Sequence, residues 1–224
     1  MRWFKYMERQ FAEQLANYGN LRIRRLSYYE DIESHGAAIG DPEENKITLY
    51  SHAHAKTGAE LNDFEREGFV TFANEEEAQR AMFFNVQFER KFVGRPSYAF
   101  CATQVQSEDI RQKFNDENKL SRKPEYDACV EIVDHISFVN ALKKHMNEAS
   151  LKYYGHGNCF YREKKVRWNQ WNPNVDQCPA FLKALKYKWQ GEVRILFESI
   201  EVDPNEFIDL NAPELIPLCR LHLY

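Results

Sequence analysis

Apolar positions near the start of the chain fall at helical spacing. Trp3, Phe4, Met7, Phe11, Leu15 and Tyr18 predict a helix over 2–17, with Gly19 as its stop. The run Leu21-Arg22-Ile23-Arg24-Arg25-Leu26 then alternates as a strand does, and a polar stretch from His35 to Asn45 follows, turning at Gly40-Asp41-Pro42. Strand patterns are predicted at 46–52, 68–73, 82–92 and 97–105. Asn74 ahead of Glu75-Glu76-Glu77 has the composition of a helix N-cap with an acidic first turn. Ser107-Glu108-Asp109-Ile110 opens another short helix, and the polar segment 113–126 reads as a loop.

Further on, 126–133 reads as a strand, and Asp134 caps a predicted helix to about Glu148 with a stripe of Ile136, Val139, Leu142 and Met146. Residues 150–168 are strand-rich and aromatic, 179–185 predicts a short helix, and strands at 192–201 and 215–223 close the chain. No repeat, low-complexity tract or linker interrupts the 224 residues. The expectation is one α+β domain over 1–224, with a mainly antiparallel sheet flanked by short helices.

Composition narrows the class. At 43% hydrophobic and 14% aromatic, the chain can bury a substantial core, and no apolar run approaches the ~20 residues of a membrane helix. The first residues lack a signal-peptide core. Five scattered cysteines (Cys101, Cys129, Cys159, Cys178, Cys219) fit reduced thiols in a cytoplasmic protein, with no membrane partner. The net charge of −4 conceals a basic segment: residues 143–194 carry 11 Lys/Arg against 4 Asp/Glu. Such a segment suits a polyanionic partner.

Gln190-Gly191-Glu192 opens the apolar run Val193-Arg194-Ile195-Leu196-Phe197. Residues two apart on a strand share a face, so a carboxamide and a carboxylate should project side by side, with a glycine permitting close approach. A carboxylate there can stabilise an oxocarbenium-like sugar centre while the carboxamide orients an acceptor. The bland alternative is a solvated strand edge.

An early strand arginine, a serine-bearing middle strand and a late Gln-x-Glu together resemble the Arg/Ser/Glu class of NAD-dependent ADP-ribosyltransferases. The matching positions are Arg22 or Arg24, Ser97 in Ser97-Tyr98-Ala99-Phe100, and Gln190 with Glu192. The middle element departs from that class's usual Ser-Thr-Ser. From Leu21 to Phe197 the chain also resembles a group of uncharacterised bacterial cytoplasmic proteins. That likeness is carried by Leu26-Ser27-Tyr28-Tyr29, Gly40-Asp41-Pro42-Glu43-Glu44 and Trp189-Gln190-Gly191-Glu192-Val193-Arg194.

The resemblance implies an ADP-ribosyltransferase-like split sheet and a bacterial toxin, part of a toxin-antitoxin or phage-defence system, with NAD as substrate and a cognate antitoxin as partner. It makes Glu192 and Gln190 catalytic and gives Arg22 or Arg24 the NAD pyrophosphate, which a guanidinium can bind bidentately. Tyr28 and Tyr29 would stack on nicotinamide or gate the acceptor, Ser97 would complete the NAD site, and no metal is required. Arg194 reads as an ion-pair partner, and Asp41 and Glu44 as turn and surface residues.

The run 161–171 interleaves cations with aromatics. Arg162, Lys164, Lys165, Arg167 and Trp168 form a candidate nucleic-acid patch, extended by Lys183, Lys186 and Lys188, and favour RNA over DNA as acceptor. The competing readings are a metal-dependent ribonuclease using the same patch, with Asp63, Glu65 and Glu67 as a loose carboxylate cluster, and a non-catalytic nucleic-acid or protein-binding module. His52-x-His54 and His156 near Cys159 have no zinc-like third and fourth ligands, and no phosphate loop or dinucleotide fingerprint is present.

Overall fold

The computed structural model describes residues 1–31, 40–120, 122–199 and 205–224. Its strands are β1 (Trp3–Met7), β2 (Asn20–Arg25), β3 (Lys46–Thr57), β4 (Met82–Val93), β5 (Ser97–Thr103), β6 (Ala128–Ile132), β7 (Leu151–Asn158), β8 (Phe160–Arg162), β9 (Lys165–Arg167), β10 (Leu182–Ala184), β11 (Glu192–Ser199), β12 (Phe207–Asn211) and β13 (Cys219–Leu223). The longer helices are α1 (Arg9–Tyr18), α2 (Glu108–Leu120) and α3 (His135–Glu148).

Eight strands form one antiparallel sheet that branches at β5. Along one edge β5 pairs with β11 throughout, from Glu192 opposite Thr103 to Glu198 opposite Ser97, and β7 flanks β11. The other edge of β5 is shared. Strand β2 takes one end (Arg24 opposite Ala99, Arg25 opposite Tyr98), while β1 takes the other at Phe4 opposite Thr103. From there β2 leads outward to β12, and β1 to β6 and β13. The two arms part along the edge of β5, and in that gap the Lys5 ammonium donates to the Cys101 carbonyl at 2.8 Å.

One face of the sheet packs under α1 and α3. Leu15, Phe138, Leu142 and Met146 close on Trp3, Ile23, Phe100, Val130, Ile195 and Phe197. A smaller sheet, β4-β3-β9, builds a second cluster around Ile47, Leu49, Phe64, Phe88 and Val166. Strands β8 and β10 pair in parallel beside them.

The fold class is α+β with a large, mainly antiparallel sheet, as the pattern predicts. Local departures have identifiable causes. The predicted helix over 2–17 is two elements: residues 3–7 form a strand between β5 and β6, and the helix begins only at Arg9. Trp3, Phe4, Tyr6 and Met7 are all buried, and a strand covered on both faces mimics helical spacing over five residues. Gly19 does end α1, at φ +70°, with its N–H donating to the Leu15 carbonyl. Residues 113–120, expected as loop, continue α2; Asn115 and Asn118 are buried there and tie the following segment through Tyr126 and Pro124. Residues 68–73 form no strand, whereas Asn74 and Asp134 cap their helices as expected. Part of the polar stretch, 32–39, and the end of the strand predicted at 192–201 lie outside the described residues.

Candidate active site

The parting of β1 and β2 opens a cleft of about 780 Å³, within the usual range for small-molecule sites. Its floor is Cys101, Ala102 and Thr103 of β5 with Gln190, Glu192 and Arg194; its walls include Lys5, Arg22, Arg24, Tyr28 and Tyr29. Alternation explains the placement. Val193, Ile195 and Phe197 face the core on β11, which turns Glu192 and Arg194 to the opposite side. Leu21 and Ile23 likewise enter the core from β2 and leave Arg22 and Arg24 on the cleft side.

Gln190 and Glu192 do not extend from one strand. Gln190 ends a 3-10 turn (Leu185–Gln190), Gly191 is left-handed at φ +53°, and Glu192 is the first strand residue. They meet instead on Lys183, whose ammonium donates to Gln190 Oε1 at 2.6 Å and to Glu192 Oε2 at 2.5 Å. The other carboxylate oxygen, Oε1, accepts from Arg194 Nε at 2.5 Å. Arg194 also forks onto Glu44 (2.7 and 2.9 Å) and donates to the Ala180 carbonyl. Glu192 is 7% exposed, Lys183 4% and Arg194 1%. The result is a buried chain Glu44–Arg194–Glu192–Lys183–Gln190.

Burial alone would raise the Glu192 pKa, but the charges of Arg194 and Lys183 outweigh it and hold the carboxyl down to about 2. Burial works against the Lys183 charge too, and the Glu192 carboxylate more than restores it, so its pKa is raised. Lys5 is the opposite case: desolvation lowers its pKa, only partly offset by Cys101 and Glu192. Burial lifts the Cys101 thiol to about 12 and the Tyr29 phenol well above its ordinary value.

The remaining predicted residues divide sharply. Arg22 reaches the cleft but grips Asp209 of β12 with two bonds of 2.7 Å, its guanidinium 3.8 Å above the Phe207 ring. Arg24 lies 4.0 Å over Tyr28, and Tyr28 meets Tyr29 edge-on at 5.4 Å. Ser97 is not in the cleft. It sits at the far end of β5 from Thr103, outside the cleft lining, with its hydroxyl on the Arg95 carbonyl. The β5 hydroxyl in register with Glu192 belongs to Thr103.

Three of the five residues of the nucleic-acid patch are engaged within the fold. Arg162 pairs with the fully buried Asp176, Lys164 is buried on the Glu43 and Leu182 carbonyls, and Lys165 bonds Glu89. Trp168 stacks on Phe64 at 4.8 Å, and only Lys165 and Arg167 of the five are exposed. Arg162, Lys164 and Trp168 thus serve contacts inside the fold, and Lys165 and Arg167 stay at the surface. In the suggested nuclease cluster, Glu65 is buried and tied to Lys56, Ser51 and Asn62. Among the described residues, no group of three or more His, Cys, Asp or Glu converges as a metal site.

Sequence reasoning missed Glu44 and Lys5 as members of the site and placed Lys183 with the patch. Glu44 follows the tight Gly40-Asp41-Pro42 turn, and its burial depends on Arg194, distant in sequence. The Arg194 signal was present: an arginine inside an apolar strand run requires a buried partner. Phe114 and Tyr126, which line the cleft, were hidden in a segment read as loop. A scan of protein-family models and searches of curated proteins and solved structures found no match to this chain.

Proposed function

We propose that the cleft binds NAD and transfers its ADP-ribose to an acceptor, with Glu192 as the carboxylate that stabilises the reacting ribose. The observation that carries this reading is the meeting of Gln190 and Glu192 on the floor of a cleft formed where the sheet divides, with two strand arginines on its wall. The cleft is large enough for a dinucleotide folded at its pyrophosphate.

Loss of nicotinamide leaves positive charge on C1′ and the ring oxygen of the ribose. A preorganised, permanently ionised carboxylate accepting a bond from a ribose hydroxyl counters that charge. An ionised carboxylate has about four lone-pair positions, so Glu192 retains acceptor capacity beyond its bonds to Lys183 and Arg194. Gln190, steadied by Lys183, orients the acceptor. Arg24, stacked on Tyr28 without a described carboxylate bond, is better placed than Arg22 to take a phosphate, because Arg22 must first leave Asp209. The toxin role and the neutralising antitoxin are supported by the resemblance of the sequence motifs.

The test is nicotinamide release and transfer of label from NAD labelled on its adenylate phosphate, using the full chain with RNA, DNA and lysate protein as separate acceptors. Release that falls at least a hundredfold in Glu192→Gln is expected. No release in any mixture would refute the reading.

A further inference from the structure

Transfer to a neutral hydroxyl, amine or amide requires a group to remove a proton as the new bond forms. In the described part of the cleft, the carboxylate, thiol and phenol groups closest to Gln190 and Glu192 are poorly suited to that task. Both Glu192 oxygens are bonded to cations at 2.5 Å, and the carboxyl is too acidic to hold a proton at neutral pH. Glu44 is forked onto Arg194 behind it. Cys101 and Tyr29 are kept protonated by burial.

The same region is rich in nitrogen donors, and an anion bound among them would restore the Lys5 charge that burial disfavours. Lys5 uses one described bond, to Cys101, of the three an ammonium offers; Lys183 uses two; Arg24 contacts ring faces. Lys123 also lines the cleft, together with the largely exposed Phe11 and the aromatics Phe114 and Tyr126. Cations beside ring faces suit a charged group attached to stacking bases.

Resting on the ADP-ribosyltransferase reading, we infer that the acceptor brings its own anion: a terminal phosphomonoester of RNA, held by Lys5, Lys183 and Arg24 against the ribose above Glu192. The step then balances without a base. The C1′–N glycosidic bond breaks, and nicotinamide leaves as a neutral base with the bonding electron pair. A lone pair on a phosphate oxygen forms the C1′–O bond, and no proton changes hands. A phosphomonoester has its second pKa near about 6, so it is already dianionic at neutral pH.

The experiment uses the full chain, NAD labelled on the adenylate phosphate, and one synthetic RNA in three forms: 5′-phosphate, 3′-phosphate, and hydroxyl at both ends. Nicotinamide release is followed in every tube. The expected result is label on a phosphorylated form at least tenfold above the hydroxyl form, with the two phosphorylated arms identifying which end is used. The rate should not rise between pH 7 and 9 and should fall below about pH 6 as the phosphate protonates. Equal labelling of the hydroxyl form would overturn the inference. So would nicotinamide release with transfer only to protein, or a rate that climbs steadily to pH 9. In each of these outcomes the transferase reading survives; its own failure is distinguished by the absence of nicotinamide release in all tubes.

Discussion

Replacing Arg194 with leucine removes the centre of the buried chain. Arg194 is 1% exposed and contacts Glu192 through Nε, Glu44 through both terminal nitrogens, and the Ala180 carbonyl. The variant leaves Glu44, also 1% exposed, without its hydrogen-bonded cation and strips one carbonyl of its donor. Breaking a buried pair by removing one partner costs about 3–5 kcal/mol. With an unfolding entropy of ~2.1 cal/mol/K per residue, a chain of this length should melt about 6–10 °C lower. The assay is urea and thermal unfolding at pH 7, read by tryptophan fluorescence, for Arg194→Leu, Glu44→Leu and the double variant. Replacing both partners by apolar side chains removes the stranded charge, so the double variant should recover about 2 kcal/mol relative to the sum of the singles. A cost below about 1 kcal/mol for Arg194→Leu, or strict additivity, would refute the argument that this chain is a coupled buried unit.

Three further outcomes are expected. The Glu192 carboxyl lies near 2 in the folded chain against 4.5 for an ordinary glutamate. A depressed pKa contributes stability above the unfolded value and loses it as pH falls from about 4.5 to 2, here on the order of 3 kcal/mol. Urea midpoints across that window should fall less steeply in Glu192→Gln than in the parent, and parallel curves would contradict the assignment. Asp209→Asn should release Arg22 and tighten ADP-ribose binding up to about fivefold by calorimetry, the scale of an exposed ion pair; unchanged or weaker binding would exclude competition between Asp209 and the ligand. Gly191→Ala forces a side chain into the left-handed region and sets its Cβ 3.3 Å from Val105 Cγ2. It should cost about 1–2 kcal/mol, measured by urea unfolding, whereas Gly157→Ala, with nothing within 4 Å of its Cβ, should be near neutral.

Local signals that report on the backbone were readable from the sequence. Asn74 and Asp134 as caps, Gly19 as a stop, and the alternation in β2 need only neighbouring residues to be interpreted. The site was legible only in part, because its geometry comes from partners far apart in the chain. Gln190 and Glu192 were found from their spacing, yet their proximity depends on Lys183 rather than on strand alternation. The basic run looked like an interface because charge on a sequence carries no record of burial. Asp176 and Glu89, which engage Arg162 and Lys165, come from other elements. Ser97 was chosen by its place in a motif, and the strand register assigns the facing hydroxyl to Thr103 instead.

The position of β1 also bears on how the chain reaches this structure. Strand β1 sits between β5 and β6, with Trp3 opposite Ile132 and Phe4 opposite Thr103, so both of its partners lie far along the chain. The outer edge of β2 spans a still longer separation, since Leu210 of β12 lies opposite Leu21. Closure of the central sheet is therefore deferred until most of the polypeptide has been synthesised. Such non-local pairing slows folding and prolongs the time during which unpaired apolar strands are exposed. Growing cells should accumulate this protein best when translation is slow or holding chaperones are plentiful, because β1 stays unpaired until β5 and β6 have been made.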